Sequence, residues 1–474
     1  MKQVIKYLIS ACLVLPALWL LVAGPRDSAD VPPGTTVVVD YWEKWTADEA
    51  AAMKIIVDDF NSTVGKDKHI FVRYLSQSNV NQKTLVATAA GTPPDVAGLW
   101  DTNMVQFASL DALMPLDDLC REYGIGPETY LPVFWNACHY DGHIWALVST
   151  PMAVALHYNT DEFREAGIVH PPQTLDELDA DAQLLEKRAD AANPNSRLVR
   201  TGFLPTVPGW YVNFSYLWFG GSIWDDVHHK FTLTDPKVVR AFSWIQSYSK
   251  RLKKEAVNEF QASAGNFDSP QNPFLAGTLA MTQQGPWMAN YIINLNPAMS
   301  GLTAKTDDDT QLPLAVRRAR MHWAACPFPS ADPALKNVTL CEFDTLSIPR
   351  GAKHPREAFE FMAYVTKQKV MEKLCKMHSK NSPLQAVSDD FLQHHRNAYI
   401  DVFEGLSKSP NAHGVPQIPI YPEVDAEIAV VVQKLALLDA EPEPALAELQ
   451  TRLQRDYEAF MEKQKARKAL AAGN

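Results

Sequence analysis

The sequence predicts an α/β protein built as two packed units, and three observations predict it. The early chain alternates β-branched runs with stretches whose apolar residues recur at helical spacing. Further on, Asp141 to Ile168 holds two extended apolar runs in succession and then a helix signal, so one strand closes a first unit and the next opens a second. The composition is that of a globular chain: 474 residues, 46% hydrophobic and 21% charged, enough for two or three domains with sizeable cores.

Residues Met1 to Gly24 place Lys2 and Lys6 ahead of an apolar run from Tyr7 to Ala23, the pattern of a secretory signal or a signal anchor. The run sits at the short limit for spanning a bilayer. Pro25 spoils the small-residue site at Val22-Ala23-Gly24, so cleavage and retention stay equally open. Cys12 follows Ile9-Ser10-Ala11 as in a lipid-attachment box, but ahead of most of the apolar run. Arg26 to Gly34 is a polar linker, and Thr35 to Trp42 is the first strand. Thr46 to Glu49 reads as a capping box for a helix that buries Met53, Ile56, Val57 and Phe60. His69 to Tyr74 is a second strand, Asn81 to Ala90 a helix stopped by Gly91, and Asp95 to Leu99 a third strand. This β-α-β-α-β series implies a parallel sheet with right-handed crossovers. Ligands bind beyond the carboxyl ends of such strands. Trp42, Trp45, Trp100 and Asp101 fall there, either as a site or as rim packing.

Asp141-Gly142 signals a tight hairpin. The apolar run after it is expected to break at Pro151. Met152 to Tyr158 follows, then a helix capped by Asn159, with Phe163 inward and Gly167 at its end. Thr174 to Leu185 is a capped helix and Thr201 to Pro205 a short strand. The aromatic stretch Trp210 to Phe219 is expected to be mostly core, with Trp210 reaching a cleft. Asp235-Pro236 opens a helix carrying Val239, Phe242 and Ile245 inward. Leu279 to Met281 is a strand, and Gly285-Pro286-Trp287 opens a helix whose free amides would lie beside an indole. Ala304 to Met321 reads as a surface excursion, His322 to Pro327 and Asn337 to Ile348 as extended, and Pro355 to Tyr364 as a helix. Val415 to Pro422 is an extended loop, and Pro442 to Lys468 a charged amphipathic helix.

The net charge is −11 and no basic patch offsets it, which excludes nucleic acid as a natural partner. Of six cysteines, Cys12 lies in the leader and the other five form no CxxC, so buried free thiols are expected. His228-His229 lacks a third ligand, and the adjacent acids at Asp225-Asp226 and Asp307 to Asp309 read as solvated turns. HExxH, GxSxG, Walker and GxGxxG patterns are all missing. The expectation is therefore no metal, no cofactor and no catalysis. The chain has 12 Trp, rich for its length.

Two motifs carry a resemblance. The first is Tyr158, Asn159 and Phe163, then Ala166-Gly167, with Pro171, Gln173, Thr174, Leu175 and Glu177 opening the next helix. The second is Gly277, Ala280, Met281, Gly285, Pro286 and Trp287. Together, and in order over roughly residues 36 to 465, the chain resembles the family 1 extracellular solute-binding proteins of ABC importers. The resemblance implies a periplasmic-binding-protein-like fold of type II, two lobes joined by three crossings behind a leader and linker at 1–34. The first lobe would hold 35–151 and 340–383, with the third crossing at Asn381 to Leu384. The second would hold 152–339 and 384–465, leaving a tail at 466–474. In the family the Trp matched by Trp287 commonly faces the ligand, and the segment matched by the loop at Tyr421 lies near it. Many relatives carry a glycine pair where this chain has Cys341 to Asp344, which brings Glu342 and Asp344 to the ligand. The expected binding set is thus Trp42, Trp45, Trp100, Asp101, Trp210, Trp287, Glu342, Asp344 and Tyr421. The resemblance implies a monomer that captures a solute in the periplasm or otherwise outside the cytoplasmic membrane, tethered there if the leader is retained, and delivers it to membrane permease subunits. The tryptophan count favours a carbohydrate. A carbohydrate-active enzyme and a membrane-tethered sensor on the same fold are the alternatives.

Overall fold

A computed structural model describes residues 31–193, 195–302 and 309–472. The leader with its cleavage site, part of the excursion after Ala304 with two of its three aspartates, and the end of the tail lie outside the described residues. The first sheet is built by β1 (Val37–Glu43), β2 (Ile70–Ser76) and β3 (Val96–Gly98), in the order β2-β1-β3 and all parallel. Helices α1 (Ala47–Ser62) and α2 (Val80–Ala89) make the crossovers. Val39 and Tyr41 turn to a core that includes Met53, Ile56, Val57 and Phe60 of α1, as the helical spacing requires. Helix α3 (Asp101–Ser109) leaves the end of β3.

The hairpin forms between His139–Tyr140 and His143–Ile144, with Asp141 and Gly142 both at positive φ, as a type I′ turn demands. Strand β4 (Leu147–Ala153) then runs through Pro151 instead of breaking there. It lies at the edge of its sheet, where a missing N–H is tolerated. The change of sheet comes at Val154, after which β5 (Ala155–Asn159) begins. The Asn159 side chain accepts hydrogen bonds from the amides of Asp161 at 3.0 Å and Glu162 at 3.1 Å, capping α4 (Thr160–Glu165). Thr174 caps α5 (Leu175–Leu184) in the same way. The aromatic stretch folds as a buried 3-10 turn at Val212–Phe219, and the strand expected at Thr201 lies slightly earlier, at Leu198–Arg200. Asp235 caps α6 (Pro236–Leu252), which turns Val238 fully inward where Val239 was expected.

The second sheet is antiparallel in the order β6-β5-β7, with β6 at Met281–Gln284 and β7 at Trp323–Pro327. Helix α7 (Met288–Leu295) follows β6. Part of the excursion is folded: Arg317 is fully buried and donates to the carbonyls of His395 at 2.7 Å and Arg396 at 3.1 Å. Strand β8 (Thr339–Leu346) returns to the first lobe and pairs antiparallel with β4. Asp344 of β8 also bridges Trp100, just past β3, and Ser347, just past β8, bridges Ala97 of β3. Helices α8 (Pro355–Val365) and α9 (Gln368–His378) complete that side. The segment 379–384, where the third crossing is expected, is buried throughout. Helix α10 (Ile400–Ser407) packs against β4, β8 and β7, while α11 (Tyr421–Ala436) and α12 (Pro442–Ala472) cover the second lobe. The architecture is the two-lobed type II arrangement. All five described cysteines are free, four of them buried.

The Asn159 cap holds the start of the second lobe's first helix. Asn159→Ala should cost about 0.5–2 kcal/mol, read as a lower urea midpoint with an unchanged slope.

Candidate functional site

Strand β1 ends at Glu43, and the next two residues define the floor of the cleft. Glu43 is fully buried and accepts from the Tyr41 hydroxyl at 2.6 Å and from the Lys44 amide at 2.8 Å. Gly98, paired with Glu43 across the sheet, makes room for that carboxylate; a Cβ at Gly98 would lie 1.9 Å from it. Lys44 reaches back to Glu43 at 3.2 Å and forward to Asp344 Oδ1 at 2.8 Å. From the third crossing, Lys380 donates to Asp344 Oδ2 at 2.8 Å and to the Thr150 hydroxyl at 3.0 Å. Thr150 in turn donates to Asp344 Oδ2 at 2.8 Å. The result is a buried ammonium–carboxylate–ammonium row that ties the end of β1, the middle of β8, β4 and the crossing segment together.

Each ammonium also lies against indole rings. Lys44 Nζ is 4.5 Å from the Trp100 ring centre and 5.5 Å from that of Trp45. Lys380 Nζ is 5.6 Å from Trp45 and 5.5 Å from Trp287. Cation–π attraction therefore orients three indoles around the floor. The Trp287 ring rests on Gly285, where a Cβ would come within 2.6 Å of it. Across the cleft Trp210 is 47% exposed and leans on Phe267 at 4.3 Å between ring centres. The four indoles, with Thr150, Asp344 and Lys380, line a cavity of about 580 Å³, and Lys44 lies behind them.

The carboxylates of the wall differ in charge state for identifiable reasons. Burial alone would raise Asp344, but Lys380 and Lys44 overcome it and hold the group well below the usual carboxylate range. Asp101 is pushed up to about 7, chiefly by burial, against the pull of hydrogen bonds from the amides of Phe343 and Thr102. Glu342 is driven well up by burial and by the neighbouring Asp101, Asp425 and Asp344. Glu49 is raised by burial, with Lys380 opposing.

Seven of the residues singled out by sequence meet at this cavity: Trp45, Trp100, Asp101, Trp210, Trp287, Glu342 and Asp344. Two do not. Trp42 lies one residue inside β1, partly buried on the strand face opposite Tyr41 and Glu43, because the strand runs further than its β-branched core signalled. Tyr421 opens α11 instead of ending a loop, so its ring is buried against Phe214. One turn on, Asp425 reaches the cavity from the same helix. Glu49 was assigned to a capping box, but the Thr46 hydroxyl makes no cap bond and Glu49 lines the cavity. Lys44, Lys380 and Thr150 gave no local signal, since their role exists only once β8 and the third crossing lie beside β1. Among the described residues no group of acids, histidines and cysteines is arranged to hold a metal.

Asp344→Asn would leave two buried ammonium groups short of their shared counter-ion, at a cost of about 3–5 kcal/mol near neutral pH. A carboxylate lowered by folding stabilises above its unfolded value, near 4, and loses that contribution as pH falls below it. The stability gap between wild type and Asp344→Asn should therefore narrow as the solution is acidified. Asp101 acts in the opposite sense, because its raised value makes the folded state lose stability as pH climbs through about 7. Urea unfolding across pH checks both limbs.

Comparison with known proteins places the chain in a family and a fold. Residues 43–372 match the family described as bacterial extracellular solute-binding protein. A maltotriose-binding protein of Pyrococcus abyssi is 23% identical over 262 residues, which is 55% of this chain and 51% of that relative. The chain thus matches about half the length of this curated relative. Among solved structures, CpMnBP1 with mannotriose bound superposes with a TM-score of 0.72 at 23% identity, covering 88% of this chain and 99% of that one. The sugar-binding protein MalE from Xanthomonas citri gives 0.71 at 18% identity, over 91% and 99%. The chain belongs to the bacterial extracellular solute-binding protein family.

Proposed function

We propose that this protein is the extracytoplasmic binding component of an ABC importer, capturing a carbohydrate between its lobes and handing it to membrane permease subunits. One observation carries the reading. Trp45 and Trp100 from the first lobe and Trp210 and Trp287 from the second face a single cavity whose floor is polar and ordered. Sugars present apolar C–H faces to aromatic rings and hydroxyls to carboxylates and ammonium groups, which is the chemistry this wall offers. The volume of about 580 Å³ lies within the usual range for small-molecule sites. The maltotriose-binding relative and the mannotriose-bound neighbour support the same ligand class. Ligand contacts drawn from both lobes favour the closed form, so binding and closure are linked. The reading includes a monomer working outside the cytoplasmic membrane, with the leader serving as export signal or tether. Binding needs no cofactor and no chemical step.

A thermal-shift panel of maltotriose, mannotriose and related saccharides should raise the melting temperature with at least one of them. Mass spectrometry after prolonged incubation should return that ligand unchanged. A new product would favour a carbohydrate-active enzyme, for which the raised Asp101 and Glu342 carboxyls would be the first acids to test. Trp287→Ala should weaken binding by about 1–3 kcal/mol in titration calorimetry while costing less than that in stability. Unchanged affinity with a large stability loss would make Trp287 a packing residue and sink this cleft as the site.

A further inference from the structure

Four indoles around a half-open volume make the cleft the proposed binding site; its charges say what kind of ligand it suits. Carboxylates reach the wall from four separate elements: Glu49 on α1, Asp101 on α3, Glu342 and Asp344 on β8, and Asp425 on α11. Two ammonium groups stand among them, and both are already committed. Lys44 and Lys380 each lie 2.8 Å from Asp344, and Lys44 also pairs with Glu43. Glu49, Asp101, Glu342 and Asp425 form no ion pair with any described residue. Neutral donors hold two of them in place: the amides of Phe343 at 3.2 Å and Thr102 at 2.8 Å for Asp101, and the Asn213 amide nitrogen at 2.8 Å for Asp425. The Glu342 carboxyl accepts no hydrogen bond from any described residue, its backbone alone being paired, with Met152 across the ladder. The cavity therefore gathers more carboxyl groups than its own cations pair. Trp100 and Trp210, 51% and 47% exposed, add the electron-rich faces that attract cations.

We infer that the ligand of this cleft carries a cationic nitrogen: a saccharide bearing a protonated amino group, seated among Asp101, Glu342 and Asp425 with the indoles of Trp100 and Trp210 in the same cavity. The inference rests on the carbohydrate reading above and narrows it. A neutral sugar would satisfy the hydrogen-bonding capacity of this wall but leave these carboxyls without an ionic partner, and an anionic one would be repelled. The raised Asp101 and Glu342 carboxyls are what such a site shows before its cation arrives. Burial and mutual repulsion favour protons on them, and Asp344 and Asp425 add to the repulsion on Glu342. Tyr211 and Tyr421 also feel Glu342, and burial keeps both phenols un-ionised. An ammonium group would displace those protons into solvent, so binding should release protons and tighten as pH rises, until the ligand's own amine deprotonates.

The test compares the fully deacetylated glucosamine trisaccharide with its N-acetylated counterpart, mannotriose and maltotriose, by thermal shift and by calorimetry in buffers of different ionisation enthalpy. The amine should bind at least about tenfold tighter than any neutral trisaccharide, with net proton release. Glu342→Gln should remove most of that preference. The unliganded variant should melt no lower than wild type, because the substitution relieves repulsion. Neutral trisaccharides binding as tightly as the amine, or a Glu342→Gln variant that keeps the full preference, would overturn the inference and leave the carbohydrate reading standing. If no saccharide of either charge raised the melting temperature, the carbohydrate reading itself would fall, and this inference with it.

Discussion

The Asp344 carboxylate between Lys44 and Lys380 is the interaction on which the arrangement of the cleft depends. It joins segments that are far apart in sequence: the residue after β1, the middle of β8 and the third crossing, with Thr150 of β4 closing the group. Buried ion pairs are weak evidence for stability, because desolvation offsets much of the Coulomb gain. Their attested use is in fixing geometry, and the geometry fixed here is that of the aromatic wall. Each ammonium is held against two indoles, so the position of the carboxylate is passed on to Trp45, Trp100 and Trp287.

Strand β8 also illustrates how environment separates like groups. Glu342 and Asp344 lie two residues apart, on the same face of one strand, opposite Met152 and Thr150 of β4. Both are buried, but Asp344 meets two ammonium groups and stays ionised, whereas burial pushes Glu342 toward its neutral form and Asp101 and Asp425 add to the push. Neither burial nor residue type explains the difference; the sign of the nearest charge does.

Local steric requirements sharpen the same site. Gly98 allows the Glu43 carboxylate to sit against β3, and Gly285 allows the Trp287 ring to fold back over the backbone at the start of α7. Both glycines act by what they leave out: each makes room for a side chain that defines one wall. At the start of the second lobe the chain uses local capping instead, with Asn159, Thr174 and Asp235 each accepting a backbone amide at a helix start.

The sequence by itself determined the features that depend on neighbours a few residues away. The parallel series β1-α1-β2-α2-β3, the Asp141-Gly142 hairpin and the three helix caps all rest on local periodicity or turn chemistry, and all are present. Placing tryptophans at strand ends brought Trp45, Trp100 and Asp101 into the cavity, because the carboxyl edge of a parallel sheet is fixed by its topology. Trp42 and Tyr421 do not line the cavity, because a shift of one or two residues in an element boundary changes which way a side chain points. Glu49 fits a cap pattern in sequence, yet it faces a cleft that exists only after Lys380 has been brought beside it. Lys44 and Lys380, 336 positions apart by number, read as ordinary solvated lysines until tertiary structure sets Asp344 between them. Burial and charge pairing are properties of the folded neighbourhood, so the electrostatic character of this site was decided by the tertiary structure alone.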